Sequence, residues 1–438
     1  MFPIKINIKS YLKALSLLIF TLFLISCKAV GPDYEGAPEL EVPENWENQL
    51  NSEFNETGAS QTQWWTLFND PVLNDLISRA AVDNLDAKIA LARVEVARAN
   101  YGIADAARSP ELDGVGDVSE KSKSKSVSGD RDSGLYSSIG LDISWEIDIF
   151  GYVRRSIEAA DAQLERSVEA YRDVMVILYA EIAKNYVALR TAQERLQYAL
   201  ENVKSQKATL RIVNARYKAE LVSEVDLLQS EQNLAAAESN IPLFFARINE
   251  LSNSLAILLG KNPGTLNSEL NQSYGIPHVP EKTVVQVPRE ILRQRPDIRE
   301  AERLLAQETA EVGIATAEEY PRFNLNGTFG YDSKEFDNQF SSDSRYWSFG
   351  PNFRWNIFDG GATQAAIEVQ DAQVEEARVN YEKKVLTAFE EVENAIKSYK
   401  EEKQRNASLN VSVTAAKKVN KITLARYTSG LIDFQEVQ

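Results

Sequence analysis

The residues that could do chemistry are few. Cys27 is the only cysteine and His278 the only histidine in 438 residues. A metal centre needs several converging Cys, His or carboxylate ligands, and an activated thiol needs a base beside it. One Cys and one His supply neither. His278 sits between Pro277 and Pro280 and reads as a loop residue, not a ligand or a base. Acid pairs are abundant but fall at helical-surface spacing, the pattern of a solvated face. The expectation is a protein without cofactor or metal, and not an enzyme. Six other side chains stand out by position. Tyr217, Glu224 and Asp226 recur late in the chain as Tyr427, Asp433 and Glu436. Tyrosines and acids where helices converge can hold neighbouring hairpins together. Acids around a narrow mouth favour cations and hinder anions. A solvated helix end is the plainer reading of each residue, so both readings stay open.

The surroundings of Cys27 give it a different chemistry. Lys5, Lys9 and Lys13 form a positive start, and Ala14 to Ile25 is apolar but too short to span a bilayer, which takes about 20 residues. The stretch ends Leu24-Ile25-Ser26-Cys27. A branched residue, a small residue and then cysteine resembles a bacterial lipobox, in which the thiol takes a diacylglyceryl group through a thioether. Residues 1–26 then form a lipoprotein signal peptide, and the only prosthetic group is the covalent lipid on Cys27. Lys28 follows where an Asp would signal inner-membrane retention, which favours the outer membrane. Cleavage removes three lysines and no acid, taking the net charge from −16 to −19. So acidic a chain is a poor partner for nucleic acid.

A tandem duplication organises the rest. Trp145-Glu146-Ile147 matches Trp355-Asn356-Ile357, Asp161-Ala162-Gln163 matches Asp371-Ala372-Gln373, and Ala215-Arg216-Tyr217 matches Ala425-Arg426-Tyr427, all at an offset of 210; Pro110 matches Pro321 at 211. Each unit has a helix (Leu85 to Arg108, then Ile298 to Glu319), a proline, two alternating segments and a very long helix. Alternation is clear in Ile139, Leu141, Ile143, Trp145 and Ile147, in Phe323, Leu325, Phe329 and Tyr331, and from Trp347 to Ile357; it is weaker from Glu111 to Ser119. Period two over about ten residues marks strands with one apolar face. The hairpins 111–149 and 322–359 have polar tips, Lys121 to Gly134 and Lys334 to Arg345, like outer-membrane barrels. Four strands cannot enclose a lumen, and open edges are not tolerated in hydrocarbon. Several copies must share one barrel, and three would give twelve strands.

Neither Gly nor Pro interrupts 152–241 or 362–429. Residues 152–218 would span ~100 Å as one helix. Val168, Met175, Ile182, Leu189, Leu196, Val203, Leu210 and Tyr217 recur every seven residues, a coiled-coil stripe. The chain reverses near 218–225, and a return helix covers 226–260 with a break near Pro242. The second hairpin reverses near Thr428 to Asp433, with Gly430 in the turn; its counterpart is Glu220, so the two turns are expected to differ. The domain reading is a first repeat at 27–260, a proline-rich connector at 261–296 with Val284-Val285-Gln286-Val287 as a strand, and a second repeat at 297–438. The first repeat runs past Leu228 to Gly260, whereas Gln438 is the counterpart of Leu228, so the second repeat reads as C-terminally incomplete.

The chain resembles the TolC-like outer-membrane factors, in their NodT/OprM-like lipoprotein branch. The resemblance is carried by Cys27 with Val30-Gly31-Pro32-Asp33-Tyr34, Trp64-Trp65 with Asp70-Pro71, Trp145-Glu146-Ile147-Asp148 with Phe150-Gly151 and Arg155, Arg295-Pro296-Asp297-Ile298 with Ala301-Glu302, and Ile357-Phe358-Asp359-Gly360-Gly361. It implies a mainly α fold with a small β part: a long antiparallel α-helical barrel plus four transmembrane β-strands per protomer, assembled as a trimer. It further implies a periplasmic adaptor protein and an inner-membrane RND pump as partners, and passive export of drugs or other small toxic compounds. A coiled-coil lipoprotein without a pore and a type I protein-secretion duct are the alternatives.

Overall fold

The computed structural model describes residues 28–47, 54–55, 63–122, 133–272, 275–278, 283–284, 294–334, 336–432 and 436. In chain order the elements are β1 (Phe54–Asn55), a 3-10 turn (Trp64–Phe68), α1 (Pro71–Asp83), α2 (Leu85–Ala106), β2 (Glu111–Ser122), β3 (Ser133–Ile147), α3 (Tyr152–Lys218), α4 (Glu224–Ser239), α5 (Ile241–Leu258), α6 (Asn267–Leu270), β4 (Thr283–Val284), α7 (Pro296–Ala317), β5 (Arg322–Ser333), β6 (Arg345–Arg354) and α8 (Ala362–Thr428). Both α3 and α8 contain 67 residues. Pro242 sits in the first turn of α5, where its missing N–H costs nothing, and so divides the return helix at Asn240. Of the strand expected at 284–287, Val284 lies in β4, paired in parallel with β1; 285–287 lie outside the described residues.

The compact units are not the repeats. One comprises Met1–Leu40, Arg93–Glu169 and Asp297–Lys383; the other comprises Glu41–Ala92, Ala170–Pro296 and Lys384–Gln438. Each draws on both repeats, because strands of the two hairpins pair with one another and the long helices contribute to both units.

The first unit holds an antiparallel sheet in the order β2-β3-β5-β6. Its register sorts the side chains. Leu112, Ile143, Gly327 and Phe349 form one row on the apolar face, and Gly114, Leu141, Phe329 and Trp347 the next. Between them, on the polar face, lies Asp113, Asp142, Thr328 and Ser348. Trp347 is 72% and Phe349 67% exposed within the protomer, a surface suited to lipid rather than water. Among the described residues no helix is long and apolar enough to cross a membrane. One expectation changes. β2 runs as a full strand through Gly114 and Gly116, where glycines had masked the alternation. The described part of the second polar tip packs on the sheet through Gln339 and Phe340. Gln339, buried, donates through Nε2 to Ser137 O (3.3 Å) and Tyr331 O (3.1 Å) and accepts from the Ser137 hydroxyl. The Phe340 ring meets Tyr331 edge-on.

The second unit has the larger core. Leu178, Ile182, Tyr186 and Leu189 on α3 bury against Leu73, Leu76 and Ile77 of α1 and Leu251, Leu255 and Leu259 of the α5 end. Asp70 starts α1 by accepting from Val72 N (2.9 Å) and Leu73 N (3.0 Å), ahead of Pro71. The same carboxylate accepts the Tyr186 hydroxyl at 2.8 Å. Arg190 is fully buried, stacks on Tyr186 and donates to Leu270 O, Gln272 O and Gln193 Oε1.

Candidate functional sites: an N-terminal latch and a helical tip

Cys27 lies outside the described residues. The segment that follows it is held at the junction between β3 and α3. Val30 N donates to Phe150 O at 2.9 Å. Arg155, on the first turns of α3, donates through Nε to Val30 O (3.0 Å) and through Nη2 to Gly31 O (3.2 Å) and Asp33 Oδ1 (2.7 Å). Its Nη1 reaches Glu158 Oε2 at 2.7 Å. Burial works against the guanidinium charge, but the bonds to Glu158 and Asp33 outweigh it and hold Arg155 above its ordinary pKa. Lys28 and Arg155 together hold the Asp33 carboxyl below its usual range. Gly31 has φ +79°, and a Cβ there would stand 2.5 Å from the Gly313 Cα of α7, so two glycines let backbone pass against backbone. Tyr34 continues the contact, donating to Glu302 Oε1 (3.2 Å), and its phenol is pushed up chiefly by burial.

The family strings in this unit are local structure. Trp145 Nε1 donates to Arg108 O and Trp355 Nε1 to Glu319 O, each at 3.0 Å, pinning each strand end to the helix end before it. Asp359 caps α8, accepting from the backbone N of Gly361, Ala362 and Thr363 and from the Thr363 hydroxyl, which leads in holding its carboxyl low. Asp148 does the same for α3 through Val153 N and Arg154 N. The motif acids thus start the two long helices. Among the described residues no cluster of His, Cys, Asp or Glu could hold a metal.

The six tip residues have different fates. Tyr427 is buried with Val213, among Ile212, Val222, Leu227 and Ile432. The Arg216 guanidinium covers its ring at 4.6 Å and donates to Tyr427 O at 3.1 Å. Asp226 closes a capping box at the start of α4, accepting from Ser223 N (2.9 Å) and Ser223 Oγ (2.8 Å). Tyr217, 37% exposed, and Glu224 and Glu436, also exposed, face outward from the protomer. Asp433 lies outside the described residues. Sequence reading missed Arg216, whose signal was the repeated Ala-Arg-Tyr. It also expected two different turns, and they are the same. Glu220 and Gly430 both take positive φ, +57° and +74°. Leu221 N donates to Arg216 O (2.9 Å) and Leu431 N to Arg426 O (3.0 Å). The helix-ending hydrogen bonds impose one geometry, and Glu220 accepts the left-handed strain that Gly430 avoids.

The comparisons agree along the chain. The model of the outer membrane efflux protein family matches residues 76–261 and 287–438. Nodulation protein T of Rhizobium leguminosarum bv. trifolii is 29% identical over 428 residues, 96% of this chain and 89% of that protein. The cation efflux system protein CusC of Escherichia coli O6:H1 is 30% identical over 429 residues, 95% of this chain and 89% of that protein. The solved outer-membrane channel OprN superposes with a TM-score of 0.86 at 32% identity, covering 93% of this chain and 91% of that one. The paired hairpins, the two 67-residue helices and these likenesses together place the chain in the outer membrane efflux protein family, with the fold of its outer-membrane channels.

Proposed function

We propose that this chain is the exit duct of a tripartite efflux assembly, a homotrimer that receives small toxic compounds from an inner-membrane RND pump through a periplasmic adaptor and passes them to the medium without chemistry of its own. One observation carries the reading: each repeat runs from a two-stranded hairpin with an apolar face directly into a 67-residue helix. Three copies supply twelve strands, enough for an open lumen. In planar bilayers the protein should give discrete ohmic conductance steps. Silence at every voltage, including in variants with a loosened tip, would contradict a duct.

Cys27 is the proposed lipid anchor. Cys27→Ser should abolish incorporation of labelled lipid and slow outer-membrane insertion; an unmodified thiol in the mature protein would refute it. The proposed periplasmic gate comprises Tyr217, Glu224, Asp226, Tyr427, Asp433 and Glu436, with Tyr217, Glu224 and Glu436 facing outward for contacts between hairpins and Asp226 and Tyr427 shaping the tip from within. Asp433→Ala with Glu436→Ala should raise conductance or weaken cation preference. Unchanged values in both would put the gate elsewhere.

A further inference from the structure

On the apolar face, the last row shared by all four strands joins Gly116, Ile139, Tyr331 and Arg345. It lies one row beyond Gly114, Leu141, Phe329 and Trp347, toward the tips. From Phe323 to Tyr331 β5 rises about 27 Å, or about 20 Å across the membrane at the usual strand tilt. An outer-membrane apolar band is about 25 Å tall. The long helices follow the opposite end of the strands, so this row stands at the outer-leaflet rim. Arg345 is thus an exposed cation on the face that meets lipid. Among the described residues it makes no ion pair, although Asp337 and Asp343 lie on the same tip.

The second tip brings two aromatic rings to the same rim. A 3-10 turn at Phe336–Asn338 leads into Gln339 and Phe340. Gln339 is satisfied by Ser137 and Tyr331 O, so its amide needs no water there. Held this way, Phe336 and Phe340 are 65% and 72% exposed. Exposed rings on a short polar turn are a liability in water and suit the boundary of the apolar band, where aromatic side chains form a girdle. Phe340 also walls a notch of about 550 Å³ on the apolar face. The floor is bare at Gly114, where an added Cβ would meet nothing within 4 Å, and at Gly116, where it would meet only Ser138 O at 3.8 Å. Ile139, Leu141, Phe329 and Tyr331 complete the lining. So apolar a notch at membrane depth holds hydrocarbon rather than water.

We propose that this rim is a binding site for a phosphorylated glycolipid of the outer leaflet, with an acyl chain in the notch, the Phe336 and Phe340 rings beside it and a phosphate on Arg345. The site rests on the sheet's place in the outer membrane and not on what the duct exports. The outer leaflet of an outer membrane is built mainly of phosphorylated glycolipid, so this is the lipid that reaches the tip side of the sheet. An arginine on a lipid face is costly at mid-depth and least so at the rim, where its head can meet a headgroup. The guanidinium fork then offers a phosphate two parallel hydrogen bonds, which an ammonium cannot match in geometry. The notch and the cation lie in neighbouring rows of one face, so one lipid can reach both.

Native mass spectrometry of the detergent-extracted full chain tests this, with bisphosphorylated lipid A added as the probe. The unmodified protein should keep at least one lipid A per chain. It should keep at least five-fold less of lipid A stripped of both phosphates, and at least five-fold less phosphatidylethanolamine. Arg345→Ala should lower lipid A retention at least five-fold, whereas Arg345→Lys, which keeps the charge, should lower it less than three-fold. Phe340→Ala removes a wall of the notch and should lower retention at least three-fold. Equal retention of the three lipids would overturn the site, leaving a surface that takes any lipid. Unchanged retention in Arg345→Ala would overturn the phosphate contact, and unchanged retention in Phe340→Ala the notch. No lipid A on the unmodified protein would overturn the whole proposal. The comparison of phosphorylated with stripped lipid A needs no substitution, so it decides even where a variant folds poorly.

Discussion

The two 67-residue helices occupy equivalent places in the two repeats, yet they are held by different means. Tyr179 on α3 and Phe389 on α8 are repeat counterparts, and each packs against a tryptophan. Tyr179 takes Trp65, from the turn ahead of α1, at 4.7 Å between ring centroids. Phe389 takes Trp46, from the extended N-terminal segment, at 6.0 Å. Beyond that point the helices diverge. α3 continues into a core with a buried arginine clamp, and Lys400 of α8 stands where α3 carries Arg190. The lesson is that duplication preserves an element's length and the position of its aromatic anchor, while the tryptophan that meets the anchor comes from a different segment in each repeat.

Breaking the clamp should give the largest effect. Arg190→Ala leaves the Gln272 carbonyl without this donor and Leu270 O with Gln193 Nε2 alone, and opens a void beside Tyr186. The expected cost is about 3–5 kcal/mol, against about 1 kcal/mol or less for Lys400→Ala, a half-buried side chain on α8. Thermal unfolding of both variants followed by circular dichroism checks this. Equal costs would mean that the repeats are alike in energy despite their different surroundings.

Tyr186 sharpens the contrast through pH, since its counterpart Ile396 cannot titrate. Burial first, with the Asp70 carboxylate adding to it against the opposing Arg190, pushes the Tyr186 phenol up to about 12. The folded pKa lies above the unfolded value of about 10. Stability from this group is therefore complete below pH ~10 and lost as pH rises to about 12. The full loss is on the order of 2–3 kcal/mol. Tyr186→Phe should cost about 1–2 kcal/mol at neutral pH, from the lost hydrogen bond to Asp70. It should also flatten the alkaline decline. Stability measured from pH 8 to 12 in the two proteins gives both numbers.

A smaller contrast concerns Val203 and Val413, another pair of counterparts, 8% and 50% exposed. Val203→Ala removes buried surface and should cost about 1.5–2 kcal/mol. Val413→Ala should stay within about 0.5 kcal/mol. If denaturant midpoints of the assembled protein show equal losses, a further surface covers α8 there.

Much of this architecture was legible, for identifiable reasons. The absence of Gly and Pro from 152–218 and 362–428 left no place for either helix to end. Ile139 to Ile147 and Phe323 to Tyr331 alternate because one face must be apolar. Less could be read where glycine took the place of an apolar side chain, as at Gly114 and Gly116 in β2. Three arginines carry much of the packing, Arg155 and Arg190 buried and Arg216 half-buried, and none announced its surroundings. All three look like solvated surface in a charged helix, because the cover over an arginine depends on carbonyls brought from distant segments. Of the candidate site residues, Tyr427 and Asp226 were legible as special but not in their local roles, which require the turn geometry. Tyr217, Glu224 and Glu436 are exposed in the protomer, which any solvated helix end would be.

The smallest expected effect tests why the two tips match. Glu220 holds φ +57° and Gly430 φ +74° in the same helix-ending turn. A residue with a Cβ in this conformation costs about 1 kcal/mol or slightly more, and glycine escapes that cost. Glu220→Gly should therefore stabilise the first tip by about 0.5–1 kcal/mol, net of the greater freedom glycine gives the unfolded chain. Gly430→Ala should weaken the second tip by a similar amount, since its new Cβ meets the Arg216 guanidinium at 3.2 Å as well. The Leu221 and Leu431 amides close the two turns, so their hydrogen-exchange rates are the readout. Leu221 should exchange about two- to five-fold more slowly in Glu220→Gly, and Leu431 faster by a like factor in Gly430→Ala. Should Glu220→Gly instead speed exchange at Leu221, the glutamate side chain is holding the first tip through a contact that outweighs its backbone strain, and the two turns are alike in shape but not in what maintains them.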